Sequence, residues 1–211
     1  MRKIDWYFDF ISPFSYLQSE LLQSLPADVD VHFKPVLFAG LLSHWDNVGP
    51  AEIAPKRQWT FEHCAWLAHK HGIALTLPAH HPFNPLPLLR LCLAFDSAPH
   101  IVHRLFHYVW REGKLPDESP DWHALLSELG IPAASIDSPE VKSALRKNGE
   151  EAIAAGVFGV PTAVVDQRCF WGLDSTDMLL AYLRGDPFFQ SAAFTRAQQL
   201  APGIQRVRAK Q

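Results

Sequence analysis

The sequence predicts an α/β domain assembled from both ends of the chain, with an all-helical domain inserted into it. Two observations carry this. Apolar, strand-like runs occur at residues 4–10 and 30–36 and return only at 162–165 and 169–171. Between them, apolar residues recur at three- and four-residue spacing, the period of helices packed on one face. The order β, long helical stretch, β assigns residues 1–37 and 156–211 to the α/β domain and 38–155 to the insertion.

Taken in order, residues 4–10 read as a buried strand and Ser12-Pro13-Phe14-Ser15 as the turn into a helix over 13–24. Ser12 suits the N-cap, Pro13 the first helical position, and Phe14, Leu17 and Leu21 the buried stripe. A strand over 30–36 completes a strand–helix–strand unit, whose crossover favours a parallel pair. Residues 40–55, rich in Gly, Pro and Asn, read as irregular. Helices are then predicted at 56–71, 85–96, 100–112, 121–129 and 139–155, with Asn84 as a cap for the helix that Pro85 begins. Asp166-Gln167-Arg168 joins the two late strands as a hairpin, and a helix over 175–183 follows with Asp174 as its cap. Residues 192–211 are polar and read as a frayed tail or an arm on a partner subunit.

Composition excludes several classes. With 211 residues, 48% hydrophobic, and a net charge of −3 from scattered charges of both signs, the chain has no basic stripe for nucleic acid and no polybasic segment for membranes. No apolar run reaches membrane-span length, and Met1-Arg2-Lys3 enters a strand without a signal-peptide core, which predicts a cytoplasmic protein. Cys64, Cys92 and Cys169 are odd in number and widely spaced, so they form neither a disulfide framework nor a Cys-x-x-Cys pair. Buried, inert thiols are expected.

Two local signals carry chemistry. A helix start leaves backbone N–H groups pointing outward, and a hydroxyl such as that of Ser12 can help them hold an anion. The second signal is Gly156-Val157-Phe158-Gly159-Val160-Pro161-Thr162, which runs from a helix end into a strand. A proline opening a strand marks an edge or fixes a cis bond, and the two remain open. A cis Val160-Pro161 bond would turn the Val160 backbone toward solvent, where an extended peptide could pair with it. These glycines precede a strand, so they are not a dinucleotide loop.

Together with Phe170-Trp171-Gly172-Leu173-Asp174, these motifs resemble the kappa-class glutathione transferases and the related 2-hydroxychromene-2-carboxylate isomerases, from Ile4 to about Arg184. The resemblance implies a thioredoxin-like fold in which Ser12 stands where disulfide oxidoreductases carry their redox cysteines. It further implies glutathione as cofactor, with the Ser12 hydroxyl donating to its sulfur. Val160, before Pro161, would pair with the cysteinyl backbone, and Trp171, Gly172, Leu173 and Asp174 would line the γ-glutamyl end. A helix N-terminus and a hydroxyl donor both stabilise a thiolate, and each pKa unit is worth about 1.4 kcal/mol. Ser12 then activates a bound nucleophile and needs no His or Asp partner.

In the isomerases so resembled, the thiolate adds to a conjugated double bond, permits rotation or ring opening, and leaves. The reaction joins 2-hydroxychromene-2-carboxylate to trans-o-hydroxybenzylidenepyruvate in naphthalene-type aromatic breakdown. Lys34-Pro35-Val36-Leu37-Phe38-Ala39-Gly40, Asn47, Val48 and Pro55-Lys56-Arg57 are similar to the family's substrate loop, with Lys56 or Arg57 as a partner for a carboxylate. Phe83, after His80-His81-Pro82, would help to wall an aromatic pocket. One position departs: Ser43 and His44 stand where the isomerases carry a lysine. The family also implies a homodimer.

Other residues read as structure. His100, His103 and His107 share a helical face but lack the remainder of a ligand set, so no metal site is expected. Trp59, Trp66, Trp110 and Trp122 read as core or subunit interface. Three functions stay open: a glutathione-dependent isomerase on a small aromatic carboxylate, a kappa-type transferase or peroxidase, and a non-catalytic module binding peptides along the Val160 edge. A disulfide oxidoreductase needs two thiols where this chain has Ser12 and Ser15.

Overall fold

A computed structural model describes residues 1–22, 25–117 and 119–203. Its sheet has four strands, β1 (Arg2–Phe8), β2 (Val29–Pro35), β3 (Thr162–Val165) and β4 (Arg168–Trp171), in the order β2-β1-β3-β4. β1 and β2 run parallel, while β3 is antiparallel to both β1 and β4. The two ends of the chain thus meet in one sheet. Helix α1 (Pro13–Leu21) makes the β1–β2 crossover, and α2 (Phe38–His44), α3 (Ala54–His71), α4 (Leu86–Ala94), α5 (Pro99–Trp110), α6 (Pro120–Glu128) and α7 (Pro139–Ala154) intervene between β2 and β3. This is a thioredoxin-like arrangement with a helical insertion between β2 and β3.

β1 is an inner strand, and its second half, Trp6-Tyr7-Phe8, is buried, which is why that part is a continuous apolar run. Trp6 and Phe8 face α5 and α1: Phe106 lies 5.5 Å from the Phe8 ring, and the Trp6 indole N–H donates to Gln18 Oε1 at 2.7 Å. Tyr7, on the opposite face, joins Val36, Leu41, Ala152, Val157 and Val160 in a second apolar cluster, with Phe38 packed against it. The Asn148 amide of α7 donates to the Pro35 carbonyl at 3.0 Å and fixes that layer to β2.

Several boundaries differ from the sequence reading. β1 ends at Phe8 and not at Phe10, because the chain turns at Asp9: its carbonyl accepts from Ser12 N at 3.1 Å and its Oδ1 from Ile11 N at 3.1 Å. α1 ends at Leu21, and the last two residues of the predicted 13–24 helix lie outside the described residues. The segment 40–55 is not wholly irregular, since α2 occupies Phe38–His44 and a 3-10 turn Pro50–Glu52. The hairpin loop is only Asp166 and Gln167, both at positive φ, the geometry that matches strand twist in a two-residue turn. Asp174 lies inside a 3-10 turn, Leu173–Ser175, that precedes α8 (Thr176–Leu183).

Residues Met1–Thr176 form one compact unit and Asp177–Gln211 a second. In the second, Tyr182, Phe188, Phe189 and Phe194 form an aromatic cluster with ring centroids 5.0 to 5.8 Å apart. The expected tail begins as helix α9 (Ala192–Gln198), capped by the Ser191 hydroxyl; residues 204–211 lie outside the described residues. Among the described residues, no helix is long and apolar enough to cross a membrane.

Candidate active site

Ser12 is the N-cap of α1: its Oγ accepts from Ser15 N at 3.1 Å and its carbonyl from Tyr16 N at 3.2 Å. Pro13 has no N–H, and Phe14 N–H has no hydrogen-bond partner among the described residues. A serine hydroxyl has one proton and two lone pairs. Capping uses a lone pair, so the Ser12 proton remains available to donate.

The backbone leading to Ser12 is fastened from several elements. Asp9 is fully buried, and its Oδ2 accepts from Phe38 N at 2.8 Å. The Phe10 carbonyl accepts from the Trp110 indole N–H at 2.8 Å, and the Ile11 carbonyl lies 2.8 Å from His81 Nε2. A carbonyl only accepts, so His81 carries its proton on Nε2. Burial lowers the His81 pKa and keeps the ring neutral at physiological pH. Burial also pushes the Asp9 carboxyl up to about 7. Asp9 and His81 were missed in the sequence, although an acid inside the apolar run Tyr7-Phe8-Asp9-Phe10 is itself a signal of a buried, hydrogen-bonded carboxyl.

Val160 and Pro161 lie beside this turn. The antiparallel pair Tyr7↔Thr162 is the last of the β1–β3 ladder, so residues 8–12 and 160–161 leave the same end of the sheet. The Val160-Pro161 bond is cis. The Val160 side chain is buried, while its backbone N–H and C=O have no hydrogen-bond partner among the described residues.

Trp171 to Asp174 are drawn to α1 by Gln18, whose Nε2 donates to the Gly172 carbonyl at 3.1 Å and to Thr176 Oγ1 at 3.0 Å. Gly172 adopts φ +89, and a Cβ there would run into the Asp174 carboxylate. Trp171 is half exposed and stacks obliquely on Phe158 at 4.9 Å. Ser12, Val160, Pro161 and the 171–174 segment therefore converge on one end of the sheet.

The substrate candidates are more dispersed. Arg57 lines a cavity of about 600 Å³ with Gln58, Phe61, Pro78, His80 and His81. Ser12 is not part of its wall; His81 connects the two. Lys56 also lies outside the lining. Phe83 is buried behind His81, with ring centroids 6.0 Å apart, and Asn47 and Val48 form an exposed turn after α2. Trp110 and Trp122 belong to the core, whereas Trp59 and Trp66 are 59% and 55% exposed on α3, flanking His63. The core half of that expectation fails for this pair because α3 buries only Cys64 and Ala68.

His103 and His107 both face Glu20, at 4.0 and 2.8 Å. Among the described residues, no group of three metal-ligating side chains is assembled. All three cysteines are free, and burial raises the thiols of Cys64 and Cys92 to about 12, so neither supplies a thiolate.

The sequence profile of the DSBA-like thioredoxin domain matches residues 3–184. The chain is 30% identical over 191 residues to 2-hydroxychromene-2-carboxylate isomerase of Sphingobium xenophagum, covering 86% of this chain and 98% of that protein. It is 28% identical over 180 residues to glutathione S-transferase kappa 2 of Caenorhabditis elegans, covering 76% and 79%. The chain belongs to the isomerase and kappa-class branch of the DsbA-like thioredoxin family. A solved 2-hydroxychromene-2-carboxylate isomerase superposes with a TM-score of 0.74 at 26% identity, over 91% of this chain and 98% of that one. The turn into α1 carries Ser12 and Ser15 and no cysteine.

Proposed function

We propose that the chain is a glutathione-dependent isomerase interconverting 2-hydroxychromene-2-carboxylate and trans-o-hydroxybenzylidenepyruvate, in aromatic hydrocarbon catabolism of the naphthalene type. The observation that carries the reading is the Ser12 hydroxyl, which caps α1 through a lone pair and keeps its proton for an anion, beside the unpaired Val160 backbone. These groups fit glutathione: a donor for its sulfur and an extended edge for its peptide. When bound, glutathione supplies a thiolate that adds reversibly to the conjugated double bond and is regenerated.

Ser12 O–H and Phe14 N–H hold negative charge at the helix start, where the dipole of α1 adds to them. Val160 N–H and C=O pair with the cysteinyl unit, and Trp171, Gly172, Leu173 and Asp174 line the γ-glutamyl end. Arg57, with Lys56 one residue earlier on α3, attracts the substrate carboxylate. Phe61 walls the cavity, Phe83 backs His81, and Asn47 and Val48 border the substrate from the turn after α2. In this reading residues 38–155 shape the substrate pocket on the glutathione-binding domain of 1–37 and 156–211, and the working form is a cytoplasmic homodimer.

Ser43 and His44 favour a second reading, a kappa-type transferase acting on another electrophile, because the isomerases' lysine is missing there. Calorimetric titration with glutathione, for wild type and Ser12→Ala, tests both. Tight binding weakened by the substitution is expected; no binding by wild type removes both readings and leaves a peptide-binding module. Turnover of the chromene carboxylate without loss of glutathione, against consumption of glutathione with chlorodinitrobenzene, then separates the first from the second.

A further inference from the structure

We propose that α2 is a strut setting the separation between the Ser12 hydroxyl and the Val160 backbone, with Asp9 and Trp45 as positioning residues at its two ends. The inference rests on the reading that both groups hold glutathione.

At the N-terminal end, Phe38 N donates to Asp9 Oδ2 at 2.8 Å, and the other oxygen of the same carboxyl accepts from Ile11 N, the residue before Ser12, at 3.1 Å. At the C-terminal end, the Trp45 indole N–H donates to the Val157 carbonyl at 2.9 Å, three residues before Val160. Between the fastenings, Leu41 is buried in the same apolar cluster as Val157 and Val160, with Phe38 packed against it. A helix of this length spans about 10 Å and is stiff along its axis.

Leu37, the N-cap residue, offers no side-chain acceptor, so α2 depends on Asp9 for its cap. Burial disfavours the ionised Asp9 carboxyl, and the hydrogen bonds from Phe38 N–H and Ile11 N–H favour it. A fully buried carboxyl without a cationic partner is costly to keep, so its two backbone bonds are its main compensation. Both fastenings are single hydrogen bonds from one helix to the two segments that build the site.

The test is a double-mutant cycle with Asp9→Asn and Trp45→Phe. Trp45 is part-exposed, and phenylalanine keeps the ring while removing the N–H. The first readout is amide hydrogen exchange without glutathione. Trp45→Phe is expected to speed exchange at the Phe38 and Ile11 amides, at the far end of α2, by about fivefold, the loss of one hydrogen bond transmitted along the strut. The second is glutathione affinity by calorimetry: each single variant loses about fivefold, and the double variant loses no more than the weaker single, because either cut frees the helix. Acceleration confined to the neighbourhood of Val157, or losses that multiply, overturns the strut. If Asp9→Asn does not fold, the exchange pattern of Trp45→Phe decides alone. If wild type does not bind glutathione while the far-end exchange effect is seen, the strut stands and the glutathione reading falls.

Discussion

The turn before Ser12 and the cavity beside Arg57 are built in opposite ways. In the turn, the Phe10 and Ile11 carbonyls, the Ile11 N–H and the Ser12 N–H all have named partners, and the surrounding side chains are mostly buried. Around the cavity, α3 is largely exposed, and Arg57 has no carboxylate partner among the described residues. A group that must steady a developing charge gains from being held before the charge arrives. A group that attracts a charged ligand gains from remaining unneutralised until it does. Under the proposed function, the one region serves chemistry and the other recognition; His81 lines the cavity and contacts the turn at the Ile11 carbonyl.

That contrast breaks most easily at Ser12. Ser12→Ala is expected to lower kcat/KM for the chromene carboxylate by about a hundredfold, the usual loss of one preorganised donor to developing charge. A comparable rate in the spectrophotometric assay would remove the serine from the mechanism.

On the recognition side, Arg57→Ala is expected to raise KM for the aromatic carboxylate about tenfold with little change in kcat, the signature of lost uniform binding. Lys56→Ala, outside the cavity lining, is the matched control in the same steady-state assay. Equal effects would mean that diffuse charge and not the cavity selects the substrate.

A smaller effect concerns the cost of the organised turn. Because the folded state holds the Asp9 carboxyl near 7, above its unfolded value, its contribution to stability is fully present below the ordinary carboxylate range and is lost as pH rises through about 7. Asparagine does not titrate, so the melting temperature of wild type relative to Asp9→Asn should fall between pH 4 and 7 and level off above pH 8. Thermal melts across that range check it, and a difference that does not vary with pH would contradict a buried titrating carboxyl.

The smallest expected effect is none. Iodoacetamide at pH 8 should leave Cys64 and Cys92 of the native protein unmodified, as mass spectrometry would report, and activity intact. Fast alkylation of either would reopen the question of which thiol is the nucleophile.

Much of the fold was legible because its signals are local. The cap at Ser12, the prolines at helix starts and the apolar periods of α5 and α7 are properties of neighbouring residues. That the Val160-Pro161 and 171–174 motifs meet Ser12 was legible only through a family resemblance, since nothing in their spacing says so. Asp9 went unread because its role depends on burial and on partners supplied by the backbone turn and by α2.

By itself, the sequence determined all four strands, most of the helices, and that the chain has no dithiol at the Ser12 turn. Tertiary structure decided α2. Its cap lies 29 positions away, in the carboxyl of Asp9, and its apolar face is buried against residues near 152–160. Helix formation at a segment without a local cap or a long period rests on such distant contacts, because a short helix is not stable alone. The β1–β3 pairing brings the Ser12 turn and the Val160 edge to one end of the sheet, and only the folded chain contains it.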